Sequence, residues 1–459
     1  MFQDQVYRTR RAELKKKVAE GIILLMGNNE SPMNYRHNDY PFRQDSSFLY
    51  YAGVDQPQFA LVMNLETGED ILFGYEYTID DIIWMGPQPT LEEWASKCGV
   101  EKYKPISELA AYIQKHKAPL HHLPFYRDDH IIFMAETLSL SIQEIRESYS
   151  ERLIRSIISM RSIKEDREVV QMEDALEATY GMHTAVMQQA AEGMRESRLA
   201  GLAEGIAIGY GGRLSYPVIL SRDGQTLHNH DHDNFLQKGD LVLGDFGAEN
   251  KMHYAGDITR TFPINASFDE RQKDIYQIVL NSQLRAIEML QPGVTYLSVH
   301  MEAAKVMAKG LMDLGIMKGD VDEAVQSGAH ALFFPHGLGH MIGLDVHDME
   351  NLGEDLVGYD DEIKRSTQFG TAFLRFGKKL QAGHVLTVEP GLYFIPELIE
   401  QWRSEKKYMD FIQYDQLDSW LDFGGVRIED NILITTKDHR ILGKPIPKTI
   451  EAIMALRKT

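Results

Sequence analysis

The chain has 459 residues, of which 43% are hydrophobic and 25% are charged. At about 150 residues per domain this length predicts two or three domains, and the composition excludes a disordered or fibrous chain. The 48 Lys and Arg residues against 68 Asp and Glu give a formal net charge of −20. Nucleic-acid phosphates and anionic membranes both require basic patches, so we expect neither as a partner.

The cysteine content and the N-terminal apolar segments indicate the cellular compartment. Cys98 is the only cysteine in the sequence, which excludes an intrachain disulfide and a cysteine-ligated zinc site. The longest early apolar run, residues 22–26, is far shorter than the roughly 18 residues of a membrane span, and it does not follow a leader-like pattern. We therefore expect a cytoplasmic protein without a cleaved leader.

Residues 1–155 predict a smaller, mixed α/β domain. Short apolar runs at residues 21–26 and 59–63 are bounded by Gly, Asn and Pro, as is typical of buried strands. Segments of helical composition follow them, and one at residues 135–159 would carry the connection to a second domain, residues 156–459.

The second domain begins with a predicted helix. Ser162 and Glu165 have the S-x-x-E spacing of a capping box. The apolar positions after them recur every three to four residues, as on one buried helix face, until Gly193. A second capping box at residues 267–270 predicts the start of another helix.

Strand-like segments alternate with these helices. Residues 241–247 and 257–262 lie close enough in the sequence to pair as a hairpin, and residues 385–389 and 425–434 also resemble strands. Hairpins packed under helices predict an α+β domain rather than a doubly wound parallel sheet.

Four carboxylates lie in or beside these apolar strands: Asp245, Asp257, Glu389 and Glu429. A buried carboxylate is costly unless it is paired or binds a metal. Two divalent cations would neutralise the four negative charges, which would otherwise repel one another and force protonation. Oxygen ligands with a single imidazole favour Mn²⁺, with Co²⁺ or Zn²⁺ as alternatives.

The imidazole is expected from the glycine-rich segment of residues 336–347. Gly337 and Gly339 lie between His336 and His340 and disfavour a helix. On an extended or turned backbone only one of the two histidines would face the metal, and His340 is the candidate ligand.

Long motifs in this sequence resemble a known family. HGLGHMIGLDVHD from His336, TVEPGLYF from Thr387 and GGVRIEDN from Gly424 are similar to the Xaa-Pro branch of the pita-bread metallopeptidases, aminopeptidase P and prolidase. FRQDSSFLYYAG from Phe42 resembles the N-terminal domain of aminopeptidase P. The resemblance covers essentially the whole chain. It implies an α+β pita-bread (creatinase/aminopeptidase-like) catalytic domain that follows a smaller mixed α/β N-terminal domain.

The resemblance also implies a dinuclear metal centre. Asp245 and Asp257 would bind one ion, Asp245 and Glu429 would help to bridge the two ions, and His340 and Glu389 would complete the second site. A metal-bridging hydroxide would attack the bond between an N-terminal residue and a following proline. Glu389 would pass the proton to the departing proline nitrogen.

The other matched residues would contact the substrate. They are His228, His336 and His347, Arg427 beside the bridging glutamate, and the pocket residues Tyr216 and Tyr393. Of these, His228 and His347 would donate hydrogen bonds to the reacting oxyanion. His230 and His232 are assigned to a solvated acidic loop.

The sequence departs from the family in three places, one of which is Tyr216, which lies nearer to His228 than its equivalent in the family pattern. Asp245 and Asp257 are 12 residues apart, one more than the family pattern, and a bulge near residues 251–253 would absorb the extra residue. The long insertion at residues 396–422 looks like prolidase, whereas the N-terminal domain looks like aminopeptidase P.

The main hypothesis is an Xaa-Pro aminopeptidase, with an Xaa-Pro dipeptidase as the alternative. A dipeptidase needs a cation for the proline carboxylate, and Arg403, Lys406 and Lys407 in the insertion are candidates. A non-catalytic pita-bread binding module and a non-metal amidinohydrolase are disfavoured, because all the expected ligands are present. The expected partners are proline-containing peptides or dipeptides, and the family implies a homodimer or homotetramer.

Overall fold

The computed structural model describes residues 1–264 and 267–458. Contacts divide the chain into two compact units, Met1–Arg161 and Ser162–Thr459. The boundary predicted at residue 155 lies inside the last helix of the first unit, Glu151–Arg161. In the described ranges, no helix combines the length and apolarity needed to cross a membrane.

The first unit contains one mixed five-stranded sheet. Its strands are β1 (Ile22–Met26), β2 (Ala60–Asn64), β3 (Glu69–Gly74), β4 (Lys102–Pro105) and β5 (Leu120–His121). Their order is β4-β3-β2-β1-β5, with parallel pairs at β3–β4 and β1–β5 and antiparallel pairs between the others. The α-helices are α1 (Asp4–Val18), α2 (Ser46–Ala52), α3 (Ile79–Met85), α4 (Leu91–Lys97), α5 (Leu109–Lys115), α6 (Asp128–Leu138), α7 (Ile142–Glu147) and α8 (Glu151–Arg161).

The central strands of this sheet are apolar on both faces. Every residue of β2, and all of β1 except Met26, is buried. A strand covered on both faces reads as a continuous apolar run rather than as an alternating one. This explains why the short apolar runs of the sequence predicted the strands.

Within residues 162–264 and 267–458, the second unit contains four small antiparallel sheets among longer helices. Its α-helices are α9 (Asp166–Gln189), α10 (Glu196–Gly209), α11 (Glu270–Glu288), α12 (Tyr296–Asp313), α13 (Val321–Ser327), α14 (Glu354–Gly358), α15 (Pro396–Ser404), α16 (Tyr414–Leu417) and α17 (Ile450–Leu456). Its strands are β6 (Arg213–Leu214), β7 (Ile219–Ser221), β8 (Leu241–Asp245), β9 (Ala248–Glu249), β10 (Thr259–Pro263), β11 (Val385–Val388), β12 (Gly391–Tyr393), β13 (Gly425–Arg427), β14 (Asp430–Ile434) and β15 (His439–Ile441).

These strands form the sheets β10-β8-β7, β11-β14-β15, β12-β13 and β6-β9. Helix α11 packs on α12 and on β11, β12 and β13. The α+β class predicted from the sequence therefore describes this unit.

Both predicted capping boxes are wrong in position. Helix α9 begins one turn later than expected, and Glu168 accepts a hydrogen bond from the Glu165 backbone N–H at 3.0 Å. The preceding residue, Lys164, donates its backbone N–H to Gly383 O at 2.8 Å, so residues before Glu165 pair with another segment. Helix α11 is capped by Asp269, whose carboxylate accepts from the backbone N–H of Gln272 at 2.8 Å.

The predicted strand at residues 425–434 is two strands in different sheets. β13 ends at Arg427 and β14 begins at Asp430, because β13 pairs with β12 whereas β14 pairs with β11. Glu429 lies at this break, where its backbone N–H donates to the Thr259 carbonyl oxygen at 3.1 Å.

Candidate metal centre and substrate cavity

Two neighbouring strands bring the first pair of carboxylates together. β8 and β10 pair antiparallel as predicted, but the cross-strand partner of Asp245 is Thr259 rather than Asp257. Asp257 lies two residues earlier, just before β10. The Tyr216 hydroxyl lies between the two carboxylates: it is 2.6 Å from Asp245 Oδ1 and also contacts Asp257 Oδ1.

Between these aspartates, where a bulge was predicted near residues 251–253, the chain forms a tight turn. The Asn250 N–H donates to Tyr254 O at 3.0 Å, and the His253 N–H donates to Asn250 O at 2.9 Å. His253 has φ +65°, a left-handed conformation that a non-glycine residue adopts only when its surroundings hold it there.

The two glutamates reach the same place from separate strands. Glu429 Oε2 accepts a hydrogen bond from Thr259 Oγ1 at 2.7 Å. Its other oxygen, Oε1, is buried and has no partner in residues 1–264 and 267–458. Glu389 directly follows β11, and its Oε1 accepts from Thr387 Oγ1 at 3.2 Å.

His340 presents a ring nitrogen to these carboxylates. Its Nδ1 lies 3.0 Å from the Met341 carbonyl oxygen, and a carbonyl can only accept, so Nδ1 carries the proton in the neutral ring. Nε2 lies 3.4 Å from Asp257 Oδ2 and 3.5 Å from Glu389 Oε1. A lone pair and two carboxylate oxygens that face one another require a proton or a cation between them.

The donor set fits a divalent metal ion. Ligand atoms of Asp257, His340 and Glu429 all lie within 4.8 Å of one another. Burial, and then the charges of neighbouring carboxylates, raise the pKa of Glu429 well above its usual range. Burial likewise raises the pKa of Glu389 to about 7. Mostly oxygen ligands with one imidazole suit hard or borderline divalent cations, whose charge would replace these protons.

A series of hydrogen-bonded side chains connects Asp245 to His336. Arg427 Nη2 donates to Asp245 Oδ2 at 2.5 Å, and Nη1 donates to the Tyr393 hydroxyl at 2.7 Å. Tyr393 in turn lies 2.9 Å from His336 Nε2, and His336 Nδ1 lies 2.8 Å from Gly337 O. His336 is thus an acceptor at Nε2, and burial lowers its pKa to about 3. This neutral ring lines the cavity and orients Tyr393.

The other two predicted histidines also line the cavity. The His347 ring lies 4.1 Å from the His340 ring, centroid to centroid, and its Nδ1 lies 3.1 Å from Glu350 Oε2. Because a carboxylate accepts, Nδ1–H donates to Glu350 when that group is ionised. His228 is more exposed than His347, and burial lowers the pKa of both rings.

A cavity of about 460 Å³ adjoins the carboxylate cluster. This size is within the usual range of small-ligand sites. Its apolar wall is formed by Pro217, Ile219, Leu227, Pro335, Val346 and Phe373. The cavity therefore joins an ionic end, suited to a metal, to an apolar end, suited to a ring without hydrogen-bonding groups.

Sequence reasoning missed several residues of this site. Thr259 connects Glu429 to Arg427, whose Nε donates to Thr259 Oγ1 at 3.2 Å, and its alternating position in β10 was a usable signal. Arg375 lines the cavity from a segment with no periodic pattern. His230, which was assigned to a solvated loop, lines the cavity as well.

The insertion does not supply the cation that was expected of it. Arg403 pairs with Asp418 at 2.6 Å and donates to the Tyr414 carbonyl at 3.0 Å. Within the described ranges, the insertion at residues 396–422 contributes nothing to the lining of the cavity. Among the described residues, Arg375 and Arg427 are the arginines that line the cavity, and Arg427 already donates to Asp245.

Comparison with known families identifies both units. The model of metallopeptidase family M24 matches residues 170–436, which is more than half of the chain. The chain belongs to metallopeptidase family M24. The model described as the aminopeptidase P N-terminal domain matches residues 7–123 of this M24 protein.

Curated relatives cover nearly the whole chain. The Xaa-Pro aminopeptidase of Escherichia coli K12 is 32% identical, over 99% of this chain and 98% of its own. The human Xaa-Pro dipeptidase is 31% identical, over 95% of this chain and 88% of its own.

Solved structures are similar throughout. Proline aminopeptidase P II from Yersinia pestis matches with a TM-score of 0.83 at 28% identity, over 100% of each chain. Zn-substituted E. coli aminopeptidase P in complex with product matches with a TM-score of 0.82 at 30% identity, over 100% and 98%. The predicted family resemblance, the pita-bread fold and the metallo-exopeptidase class are confirmed.

Proposed function

We propose that this M24 protein is a dinuclear Xaa-Pro aminopeptidase that removes an N-terminal residue when proline follows it. The observation that carries the proposal is the buried cluster of Asp257, His340 and Glu429, in which Glu429 Oε1 has no partner among the described residues. Asp245 and Glu389 complete the ligand set beside the cavity. Mn²⁺ is the preferred ion, because oxygen ligands predominate.

The bound ions would supply Lewis acidity and lower the pKa of water toward neutrality. The protein's own groups would do the remaining work. Glu389, which lines the cavity beside the cluster, would accept a proton and return it to the proline nitrogen. His228 and His347, at the cavity wall, would donate to the developing oxyanion.

The cavity wall suits proline. The scissile bond before proline is a tertiary amide without an N–H, so a matching wall needs no acceptor at that position. Pro217, Leu227 and Val346 give an apolar surface of this kind. A secondary amide would bring an N–H that this surface leaves unpaired, at a cost in binding.

The test is cleavage by the protein after chelation and reloading with Mn²⁺. We expect metal-dependent hydrolysis of Ala-Pro-Ala and much slower hydrolysis of Ala-Ala-Ala, with about two metal ions bound per chain. A folded protein that binds no metal and cleaves neither peptide would favour a non-catalytic binding module and would refute the proposal.

A dipeptidase is a second candidate because Arg375 lines the cavity. Its guanidinium also pairs with Glu350 and Glu354, so only part of its charge is available to a substrate carboxylate. If the protein is a dipeptidase, Arg375→Gln will raise KM for Ala-Pro far more than for Ala-Pro-Ala amide. Arg440→Gln, which removes an exposed ion pair with Glu173, is the matched control.

A further inference from the structure

A buried ion pair joins Lys164 to Asp348. Lys164 Nζ lies 2.8 Å from Asp348 Oδ2, and the two side chains are 2% and 1% exposed. The two residues are 184 positions apart in the sequence. Removing two charges from water is costly, and an ion pair in the interior is often no more stabilising than well-packed apolar side chains. Stability alone therefore does not explain why this pair is charged.

The lysine end of the pair is held by backbone hydrogen bonds. Lys164 lies just before α9, and its N–H donates to the Gly383 carbonyl at 2.8 Å. The Gly383 N–H in turn donates at 2.8 Å to the carbonyl of Ile434, the last residue of β14. The ammonium therefore extends from a backbone position that is bonded to the sheet β11-β14-β15.

The aspartate end lies in an irregular segment, since residues 342–348 form neither helix nor strand. Gly343 packs directly on the ion pair: a Cβ there would lie 2.6 Å from Asp348 Oδ2 and 2.8 Å from Lys164 Cε. The missing side chain thus makes room for the pair. A segment without a repeating backbone ladder depends on single tertiary contacts for its position, and this ion pair is such a contact.

The same segment connects two histidines of the site. The Met341 carbonyl accepts from the Asp348 N–H at 2.9 Å and from His340 Nδ1 at 3.0 Å. His347 directly precedes Asp348, and its ring lies 4.1 Å from the His340 ring, centroid to centroid. A displacement of Asp348 would therefore move the His347 ring and would disturb the carbonyl that orients His340.

We propose that Lys164 is a positioning residue, whose ion pair with Asp348 holds residues 341–348 so that His347 keeps its place at the cavity wall. The inference rests on the proposed function and deepens it, because Lys164 acts on the reaction through Asp348 rather than by contact with the substrate. His347 is expected to donate to the developing oxyanion, so its misplacement lowers kcat and leaves KM nearly unchanged.

The experiment separates orientation from stability, with kinetics of the full chain at saturating Mn²⁺ and urea unfolding of the metal-free protein. Lys164→Met leaves the Asp348 carboxylate buried without its ammonium, and we expect a lower urea midpoint. Adding Asp348→Asn removes both charges and should restore the midpoint. In this double variant kcat on Ala-Pro-Ala should stay about 10- to 100-fold low, with KM changed by less than about threefold. Hydrogen exchange of residues 341–348 should be faster than in the unmodified protein.

Lys15→Met is the matched control. Lys15 Nζ also lies 2.8 Å from a carboxylate oxygen, Asp70 Oδ1, but in the first unit. We expect this variant to leave kcat, KM and the exchange of residues 341–348 unchanged.

Recovery of both the urea midpoint and kcat in the double variant would overturn the proposal, because the pair would then serve stability alone. Asp348→Glu keeps both charges and lengthens the acidic side chain, so it tests orientation even if the charge-removing variants do not fold. We expect a lower kcat, and an unchanged kcat would also overturn the proposal. Failure of the proposed function would look different, since the unmodified protein would then cleave no Ala-Pro-Ala.

Discussion

Glu429 and Asp430 are adjacent carboxylates with opposite electrostatic surroundings. Asp430 is paired with Arg260 at 2.7 Å and with Lys448 at 2.6 Å, and although burial opposes it, these charges lower its pKa. Among residues 1–264 and 267–458, only the Thr259 hydroxyl donates a hydrogen bond to the Glu429 carboxylate, and burial raises the pKa of Glu429. The side chains of Arg260 and Lys448 thus neutralise Asp430. Glu429 has no such cationic partner, as expected of a carboxylate that binds a metal ion.

The largest expected effect on activity follows from substitution of Glu429, the carboxylate that has no cationic partner. Glu429→Gln removes one candidate ligand, and we expect kcat/KM on Ala-Pro-Ala to fall at least about 10³-fold, which is about 4 kcal/mol. Metal analysis should show fewer ions per chain. Without metal, the variant should be no less stable than the unmodified protein, because it loses a charge that burial disfavours.

The exposed Glu451→Gln is the control for this variant. If Glu429→Gln retained full metal content and full activity, Glu429 would not be a metal ligand.

The converse change should affect folding. Asp430→Asn leaves Arg260 and Lys448 without their buried partner, and breaking such a pair costs about 3–5 kcal/mol. Urea unfolding of the metal-free protein measures this loss. If Asp430→Asn lost metal without losing stability, Asp430 rather than Glu429 would be the metal-binding carboxylate.

A smaller effect on activity is expected from the side chains that are hydrogen-bonded to Asp245 through Arg427. Tyr393→Phe removes the hydroxyl between Arg427 and His336, and loss of a group that orients a metal ligand costs about 10- to 100-fold in activity or metal affinity. We expect kcat to fall by about tenfold. Tyr276→Phe loses a hydrogen bond to the Lys448 carbonyl, near Asp430, and should change stability rather than kcat.

The smallest effect concerns a buried group that stays neutral. Burial lowers the pKa of His300 to about 3, against about 6.5 in an unfolded chain. The unfolded state therefore binds more protons below pH 6.5, and the stability that neutral His300 contributes is lost as the pH falls from 6.5 toward 3. His300→Phe should make the free energy of unfolding less steep in this window, by up to about 1.4 kcal/mol per pH unit.

Unfolding of metal-free protein at several pH values checks this slope. An unchanged slope would mean that His300 is paired and protonated in the folded state.

Much of the site could be predicted because the local pattern of a strand depends on few residues. The apolar runs before Asp245 and Glu389 were sufficient to identify β8 and β11, and the motif from His336 to His347 identified the histidine segment. Register was not predictable in this way: Thr259, not Asp257, lies opposite Asp245. Register depends on the turn at residues 250–254, where His253 adopts a positive φ.

The sequence by itself determined the family, the α+β class and the candidate ligands, because strand periodicity and contiguous motifs are local properties. Only the tertiary structure decided that residues 425–434 divide between two sheets, that Arg375 rather than Arg403 reaches the cavity, and that Phe369 meets Trp402. These outcomes depend on contacts between segments far apart in the chain. Their geometry is set by sheet pairing and side-chain packing, which no local pattern of residues encodes.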